Sequence, residues 1–265
     1  MQINDIKEKS KIKLNGNYIR CASSSLFYFI IFYLITLFQY KITNNIENSI
    51  LLSVLQAFVF IINWILNYGI ISNILDLSNI KTNSITDFIN TTIKYSGKYI
   101  KIGLNVLIRI LVPLLLFILS IYYWFGTKVA EIHKIDFLCF YHNLVPLANS
   151  LLIISIIVLL YFILKYVLVA YIYYENPTMS VKDIINKSKE LMKGKKFQYI
   201  ILLLSFLHWF LICALILFIL SYFIKSDYYT PIIILFYSII RPYIVVSKNE
   251  FYRELEDIKE EKPNC

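Results

Sequence analysis

Six long apolar runs limit what this chain can fold into. A helix needs about 20 residues to cross the hydrocarbon core of a bilayer, and a buried soluble helix rarely stays apolar on every face for that length. Hydrophobic residues make up 58% of the chain and charged residues only 16%, which excludes an ordinary soluble protein. We predict an all-α, polytopic membrane protein with six transmembrane helices in three hairpins. The runs are about Tyr18–Tyr40, Ile50–Leu75, Tyr99–Tyr123, Leu144–Tyr174, Tyr199–Ile224 and Tyr229–Val246.

The stretch Ser180–Leu220 combines three local signals. Ser180 followed by Asp183 is a capping-box pattern, which predicts the start of a helix. The apolar residues after it recur at helical spacing, so the helix is amphipathic. Gly194 is placed to end the helix in the left-handed conformation, which costs other residues free energy. An apolar run follows, so we interpret the unit as an interfacial helix, a glycine hinge and a membrane span.

Similar units precede the first and third apolar runs. Asp5 stands before Gly16, and Asp87 before Gly97, at nearly the spacing that separates Asp183 from the glycine of the third copy. We interpret this as a threefold internal repeat. The alternative is that any basic helix that enters a membrane ends at glycine in this way. The interpretation predicts interfacial amphipathic helices near 84–96 and 180–193.

A net charge of +9 alone is compatible with nucleic-acid binding, but the positions of the charges along the chain indicate membrane topology instead. Most of the 26 Lys and Arg lie in the N-terminus, the second and fourth loops and the C-terminal tail. This asymmetry predicts a multi-pass protein of the cytoplasmic (inner) cell membrane with both termini in the cytoplasm. It also predicts attraction to anionic lipid, and no nucleic-acid motif accompanies it.

The predicted organisation has three parts. Residues 1–17 form a cytoplasmic amphipathic helix, residues 18–246 form the six-helix transmembrane domain, and residues 247–265 form a cytoplasmic helix and tail. We expect membrane lipids as partners, anionic ones above all, and membrane proteins as further partners. Nucleic acid is not expected.

Four cations lie inside the apolar runs: Arg20, Arg109, Lys165 and Arg241. No acid lies in a run to neutralise them, and intramembrane charge is a sign of function. Arg20 and Arg241 lie near the ends of their runs, which favours snorkelling to the headgroups. Arg109 and Lys165 lie about two turns deeper, so snorkelling and a bound anion are both open.

Lysines of the fourth loop extend the candidate anion site. We expect Lys193, Lys195 and Lys196 to act with the four intramembrane cations on an anionic lipid or ligand.

A set of amides marks a candidate polar face within the spans. Gln56, Asn63 and Asn67 share one helical face, which should point at other helices because an unpaired amide in lipid costs free energy. The third span adds Asn105. A cavity lined by Asn63, Asn67, Asn105 and Arg109 would favour a transporter.

The sequence contains no catalytic motif, no phosphate-binding glycine loop and no His and Cys set with metal-site spacing. We therefore expect no enzyme activity, no catalytic residue, no cofactor and no metal. The expected function is that of a scaffold or accessory factor that binds anionic lipid. The alternative is a transporter or exporter component for an anionic or peptide solute.

Four segments resemble a bacterial integral-membrane family catalogued as domain of unknown function 975. They are LNGN at Gly16, ENPTMS at Glu175–Ser180, the segment Ser188–Trp209, and RPYIVVSKNEFYREL at Arg241–Leu255. The resemblance is strongest over Ser188–Trp209. It implies a polytopic cytoplasmic-membrane protein and no particular reaction or substrate.

Overall fold

The structure, a computed structural model, describes residues 2–43, 49–79, 85–132, 138–222 and 229–261. Within these residues every regular element is an α-helix. The predicted all-α fold is confirmed. The helices are α1 (Ile3–Leu14), α2 (Tyr18–Thr43), α3 (Ser49–Ser78), α4 (Ile85–Ile132), α5 (Leu138–Lys165), α6 (Val169–Glu175), α7 (Val181–Leu191), α8 (Lys196–Leu204), α9 (Leu207–Leu220) and α10 (Tyr229–Glu261).

Six helical stretches of the described chain are long and apolar enough to cross a membrane. They correspond to the six predicted spans, so the prediction of a polytopic membrane protein is confirmed. The side of the membrane on which the termini lie stays a prediction. The stretches are Tyr18–Thr43, Leu51–Ser78, Tyr95–Gly126, Pro146–Glu175, Lys196–Leu220 and Tyr229–Lys259.

The fourth span is interrupted between α5 and α6. The backbone N–H of Val169 donates to the carbonyl of Tyr166 at 3.2 Å, three residues back rather than four. The carbonyl of Lys165 therefore lacks its usual helical donor. The hydroxyl of Ser188 on α7 donates to that carbonyl at 2.9 Å, so the amphipathic helix caps the break.

The fifth span is interrupted in the same way between α8 and α9. The backbone N–H of Trp209 donates to the carbonyl of Phe206 at 3.1 Å, so the carbonyl of Ser205 lacks its usual helical donor. The ammonium group of Lys7 on α1 donates to it at 3.4 Å. Each broken span is thus capped by a side chain of an amphipathic helix.

The described chain divides into two compact units, and α4 contributes to both. The first unit is Met1–Ile100, Ala170–Thr178 and Phe197–Cys265, and the second unit is Lys101–Val169 and Met179–Lys196.

Helix α10 is central to the first unit, where it packs against α1, α2, α3 and α9. Most of the buried residues of these long helices fall at one end, in the first half of α2, the last third of α3 and the part of α10 from Ser238 onward. Toward the other end of these helices, large apolar side chains such as Phe38 and Phe58 are exposed. Exposed apolar surface of this kind suits contact with lipid tails.

Helix α1 closes the packed end of the first unit. Ile6 is fully buried and Leu14 nearly so, while the opposite face of the helix carries charged residues. Gly16 follows with a φ of +81°, as predicted for a helix-ending glycine. The glycine lets the chain turn directly from α1 into the first span.

Small and polar side chains join the helices of the second unit. The hydroxyl groups of Ser120 on α4 and Ser155 on α5 lie 2.7 Å apart and are buried. The indole N–H of Trp124 donates to Asn149 Oδ1 at 2.9 Å. Small residues allow two helices to approach each other closely. Side-chain hydrogen bonds hold helices together in lipid, where the hydrophobic effect does not favour their association.

One predicted hinge is wrong. Helix α4 continues through Gly97, so no separate amphipathic helix ends there. A glycine inside a helix costs only about 1 kcal/mol relative to alanine. The helix-forming residues on both sides outweigh that cost, because each extends an existing helix by one hydrogen bond.

The C-terminal region also differs from the prediction of a separate helix after residue 246. Helix α10 continues without interruption to Glu261 and passes through Pro242. Between Pro242 and the end of the helix there is neither Gly nor Pro to stop it. Its last turns therefore extend the sixth span.

Candidate functional site

Two of the predicted site residues meet at one aromatic ring in the second unit. The ammonium nitrogens of Lys165 and Lys196 lie 4.6 Å and 4.0 Å from the centre of the Tyr161 ring. Lys165 also lies 4.3 Å from the centre of the Phe162 ring. We call Tyr161, Lys165 and Lys196 the Tyr161 cluster.

Helix α7 positions the cluster through local signals that the sequence predicts. The hydroxyl of Ser180 accepts the backbone N–H of Asp183 at 3.2 Å, which confirms the cap at the start of α7. The apolar face with Ile184 and Ile185 is buried. After α7, Gly194 has a φ of +74°, and this turn leads the chain to Lys196. The cap of Ser188 on the end of α5 fixes α7 beside Lys165.

Four cations of the candidate site, Lys165, Lys193, Lys195 and Lys196, have no acidic partner within the described residues. Lys193 is exposed, and Lys195 and Lys196 are partly exposed. No ion pair joins any of them, or Lys165, to a described carboxylate. No described carboxylate therefore neutralises the positive charge of the cluster.

Arg109 and Arg20 lie apart from any described anion. Arg109 belongs to the second unit and Arg20 to the first, and both are exposed. Exposure agrees with the predicted snorkelling of Arg20. For Arg109 it leaves both predicted alternatives, a bound anion and snorkelling, as predictions.

Arg241 is not a snorkelling residue, so that expectation is wrong. Arg241 is only 8% exposed, and its guanidinium donates a hydrogen bond to Asn67 Oδ1 at 2.6 Å. The same group lies over the rings of Tyr28 and Phe29, at 4.4 Å and 5.0 Å from their centres. An amide dipole and two ring faces offset the cost of burying the charge, so the side chain need not reach the headgroups.

The predicted polar face is used only in part. Asn67 binds Arg241, and Asn63 has a buried amide oxygen with no hydrogen-bond donor among the described residues. Gln56 is exposed, so the expectation that it faces other helices is wrong. Asn105 is also exposed and donates to the carbonyl of Lys101 in its own helix at 3.0 Å. A self-contained hydrogen bond lets an amide face outward.

An ion network that the sequence does not predict lies at the packed end of the first unit. Glu175 Oε1 accepts hydrogen bonds from Nε and Nη2 of Arg253, at 2.9 Å and 2.7 Å. It also accepts one from Nδ2 of Asn249 at 3.2 Å. Glu250 accepts the ammonium of Lys13 at 2.5 Å. The network ties α1, α6 and α10 together. The only sequence signal was that Glu250 and Arg253 flank the apolar face of α10.

The comparisons with known proteins assign a family. A family model described as "Protein of unknown function (DUF975)" matches residues 1–259. The chain belongs to this family. No curated protein and no solved structure matches the chain. In this DUF975 protein, the described residues hold no group of three His, Cys, Asp or Glu that could bind a metal ion.

Proposed function

We propose that this protein is a non-enzymatic scaffold or accessory factor of the cytoplasmic membrane, and that the Tyr161 cluster binds the phosphate of an anionic phospholipid. The observation that supports the proposal is the approach of two ammonium groups to one ring with no described carboxylate beside them.

The repulsion between the two cations argues for a bound anion. Both ammonium groups gain from the face of Tyr161, but cation–π attraction at exposed sites contributes only about 0.5–1 kcal/mol each. Cations at these distances from one ring centre are at most about 9 Å apart, so they repel each other by roughly 0.5 kcal/mol or more in water before salt screening. A phosphate between Lys165 and Lys196 reverses the sign of that interaction and adds charge-assisted hydrogen bonds.

The surroundings of the cluster suit a lipid better than a soluble anion. Tyr161 is 48% exposed and lies one turn before the end of α5, where Ser188 of the amphipathic helix α7 caps the break in the fourth span. Tyrosine rings and lysines with apolar stems are the residues that lie at membrane interfaces. Lys193 and Lys195 add long-range attraction to an anionic surface.

The test is the retention of phosphatidylglycerol by the purified protein. The double variant Lys165→Gln/Lys196→Gln should retain less phosphatidylglycerol relative to phosphatidylethanolamine, by about thirtyfold, because each of the two lysines near an anionic surface contributes about 1 kcal/mol. Lipid bound to protein in detergent is measured by native mass spectrometry and lipidomics.

A matched control separates a site from general attraction. Lys182 and Lys189 are exposed on α7 and carry the same charge, so Lys182→Gln/Lys189→Gln should change retention little. Tyr161→Phe keeps the ring and should bind normally, whereas Tyr161→Leu should not. Equal losses in the two lysine double variants, or no loss in either, would contradict the proposal.

Transport of an anionic or peptide solute is a second candidate, because the fourth and fifth spans are interrupted. Discontinuous spans form the binding sites of many transporters. Counterflow of a labelled anion library in proteoliposomes tests this candidate. If the protein is a transporter, the wild-type protein supports uptake of the anion. Ser188→Ala should reduce that uptake, because it removes the cap of one break.

A further inference from the structure

A pocket of about 340 Å³ lies in the first unit, at the turn between α1 and α2. The turn supplies Lys11, Leu14, Asn15, Gly16 and Tyr18, and Trp209 and Tyr243 complete the lining. The volume falls within the range of small-molecule sites.

The polar atoms of the two lining tyrosines are already used. The hydroxyl of Tyr18 donates to the carbonyl of Ile239 at 2.5 Å, and that of Tyr243 donates to the carbonyl of Lys7 at 3.4 Å. Their rings, together with Leu14, therefore form an apolar wall. The indole N–H of Trp209 has no acceptor among the described residues, so it remains a donor for a ligand.

Lys11 supplies the charge that selects the ligand. The other lysines of α1 have partners: Lys7 binds the carbonyl of Ser205, Lys9 lies 3.9 Å from Glu254, and Lys13 binds Glu250. Lys11 is exposed and has no described carboxylate partner. Partial burial, with Lys11 nearby, also lowers the pKa of Lys7, as expected where positive charge is in excess.

The position of the pocket decides between a lipid and a soluble anion. It lies where the charged helix α1 meets the apolar helices α2, α9 and α10. A phospholipid has the same order of charged and apolar parts, a charged headgroup followed by an acyl chain. Aromatic residues are enriched at this boundary in membrane proteins.

We propose that this pocket binds one anionic phospholipid, with its phosphate on the ammonium of Lys11 and the indole N–H of Trp209. The first acyl carbons lie against Leu14, Tyr18 and Tyr243. The proposal does not depend on the Tyr161 cluster, because the two sites share no residue. Bound lipid would hold α1 against the break in the fifth span that Lys7 caps.

Fluorescence of Trp209 tests the proposal directly. The chain has three tryptophans, so the contribution of Trp209 is the difference between the natural chain and the variant Trp209→Phe. The protein is reconstituted into phosphatidylcholine vesicles that contain phosphatidylglycerol or phosphatidylcholine brominated near the headgroup end of an acyl chain. Brominated phosphatidylglycerol should quench the Trp209 component at about fivefold lower mole fraction than brominated phosphatidylcholine.

Charge-matched variants identify the lysine. Lys11→Gln should abolish the preference for phosphatidylglycerol, Lys11→Arg should keep it, and Lys9→Gln, a change on the same helix but outside the pocket, should leave it unchanged. Equal quenching by both lipids in the natural chain would overturn the proposal, as would an equal effect of Lys9→Gln.

Two further arms test for a soluble ligand and for an effect of the Tyr161 cluster. Soluble glycerol phosphate that removed the preference would show a site for a soluble anion and would overturn the lipid assignment. Lys165→Gln/Lys196→Gln should leave Trp209 quenching unchanged, so failure at this pocket and failure at the Tyr161 cluster are distinguishable. Native mass spectrometry of Lys11→Gln, compared with Lys9→Gln, gives an independent measure of bound phosphatidylglycerol.

Discussion

The guanidinium of Arg241 donates a hydrogen bond of 2.6 Å to Asn67 Oδ1 and joins α10 to α3 inside the first unit. Tyr28 and Phe29 of α2 cover the same group. One buried cation thus connects three apolar helices. Removing one partner of such an arrangement leaves the other buried and unpaired, which costs more than the net contribution of the bond itself.

Asn67→Leu should destabilise the protein by about 2 kcal/mol, because it leaves Arg241 without its described hydrogen-bond acceptor. Thermal unfolding in detergent measures the loss. The double variant Asn67→Leu/Arg241→Met should be more stable than Asn67→Leu alone, since the unpaired charge is then removed. Asn105→Leu is the matched control, because Asn105 is exposed and bonds only within its own helix, and it should change stability by less than about 0.5 kcal/mol. Equal effects of the two asparagine variants would contradict the assigned role of Arg241.

Ser188→Ala should destabilise the second unit by about 1 kcal/mol, because it removes the hydroxyl that caps the carbonyl of Lys165. Amide hydrogen exchange should rise at the break between α5 and α6. Ser150→Ala is the control, since the hydroxyl of Ser150 bonds only to the carbonyl of Leu147 in its own helix. Unchanged exchange at the break in Ser188→Ala would show that the cap does not stabilise it.

Gly69→Ala and Gly97→Ala should act in opposite directions. A Cβ at Gly69 would lie 2.1 Å from Oγ1 of Thr92, a branched side chain that cannot easily move, so we expect a loss of about 2 kcal/mol. A Cβ at Gly97 meets no atom within 4 Å, so alanine there should stabilise α4 by about 0.5–1 kcal/mol. Thermal unfolding measures both. The double variant Gly69→Ala/Thr92→Ala should recover part of the loss, and an additive result would argue against the close approach.

Glu175→Gln should destabilise the first unit by about 1 kcal/mol, because Arg253 loses a charge-assisted hydrogen-bond acceptor. Both side chains are partly exposed, so high salt should shrink the difference from wild type. Asp257→Asn, an exposed change on the same helix as Arg253, should have no measurable effect. A loss that is independent of salt would mean that packing, and not charge, causes the effect.

Features that depend on neighbouring residues were predictable from the sequence. The six spans follow from composition and length, the start of α7 from Ser180 and Asp183, and the left-handed turns from Gly16 and Gly194. In each case the stabilising groups lie within a few residues, so their spacing along the chain carries the information. Gly97 shows the limit of this reasoning, because a glycine permits a turn without requiring one.

Features that depend on distant partners could not be predicted. The breaks in the two spans contain neither Gly nor Pro, and their caps come from residues 23 and 198 positions away. Arg241 and Asn67 are 174 positions apart, so burial could not be distinguished from snorkelling. The convergence of Lys165 and Lys196 on Tyr161 likewise required the placement of α7. Tertiary packing decides all of these, and one sequence does not show it.

The ion pair between Lys13 and Glu250 spans 237 positions, and it has a consequence for biosynthesis. The ribosome makes α1 before α10, and α1 packs against α10, so Ile6 and Leu14 gain this cover only after the segment that contains Glu250 has been translated. Until then the apolar stripe of α1 lacks that partner. A nascent chain that stalls before α10 therefore keeps the stripe available to chaperones and quality-control proteases.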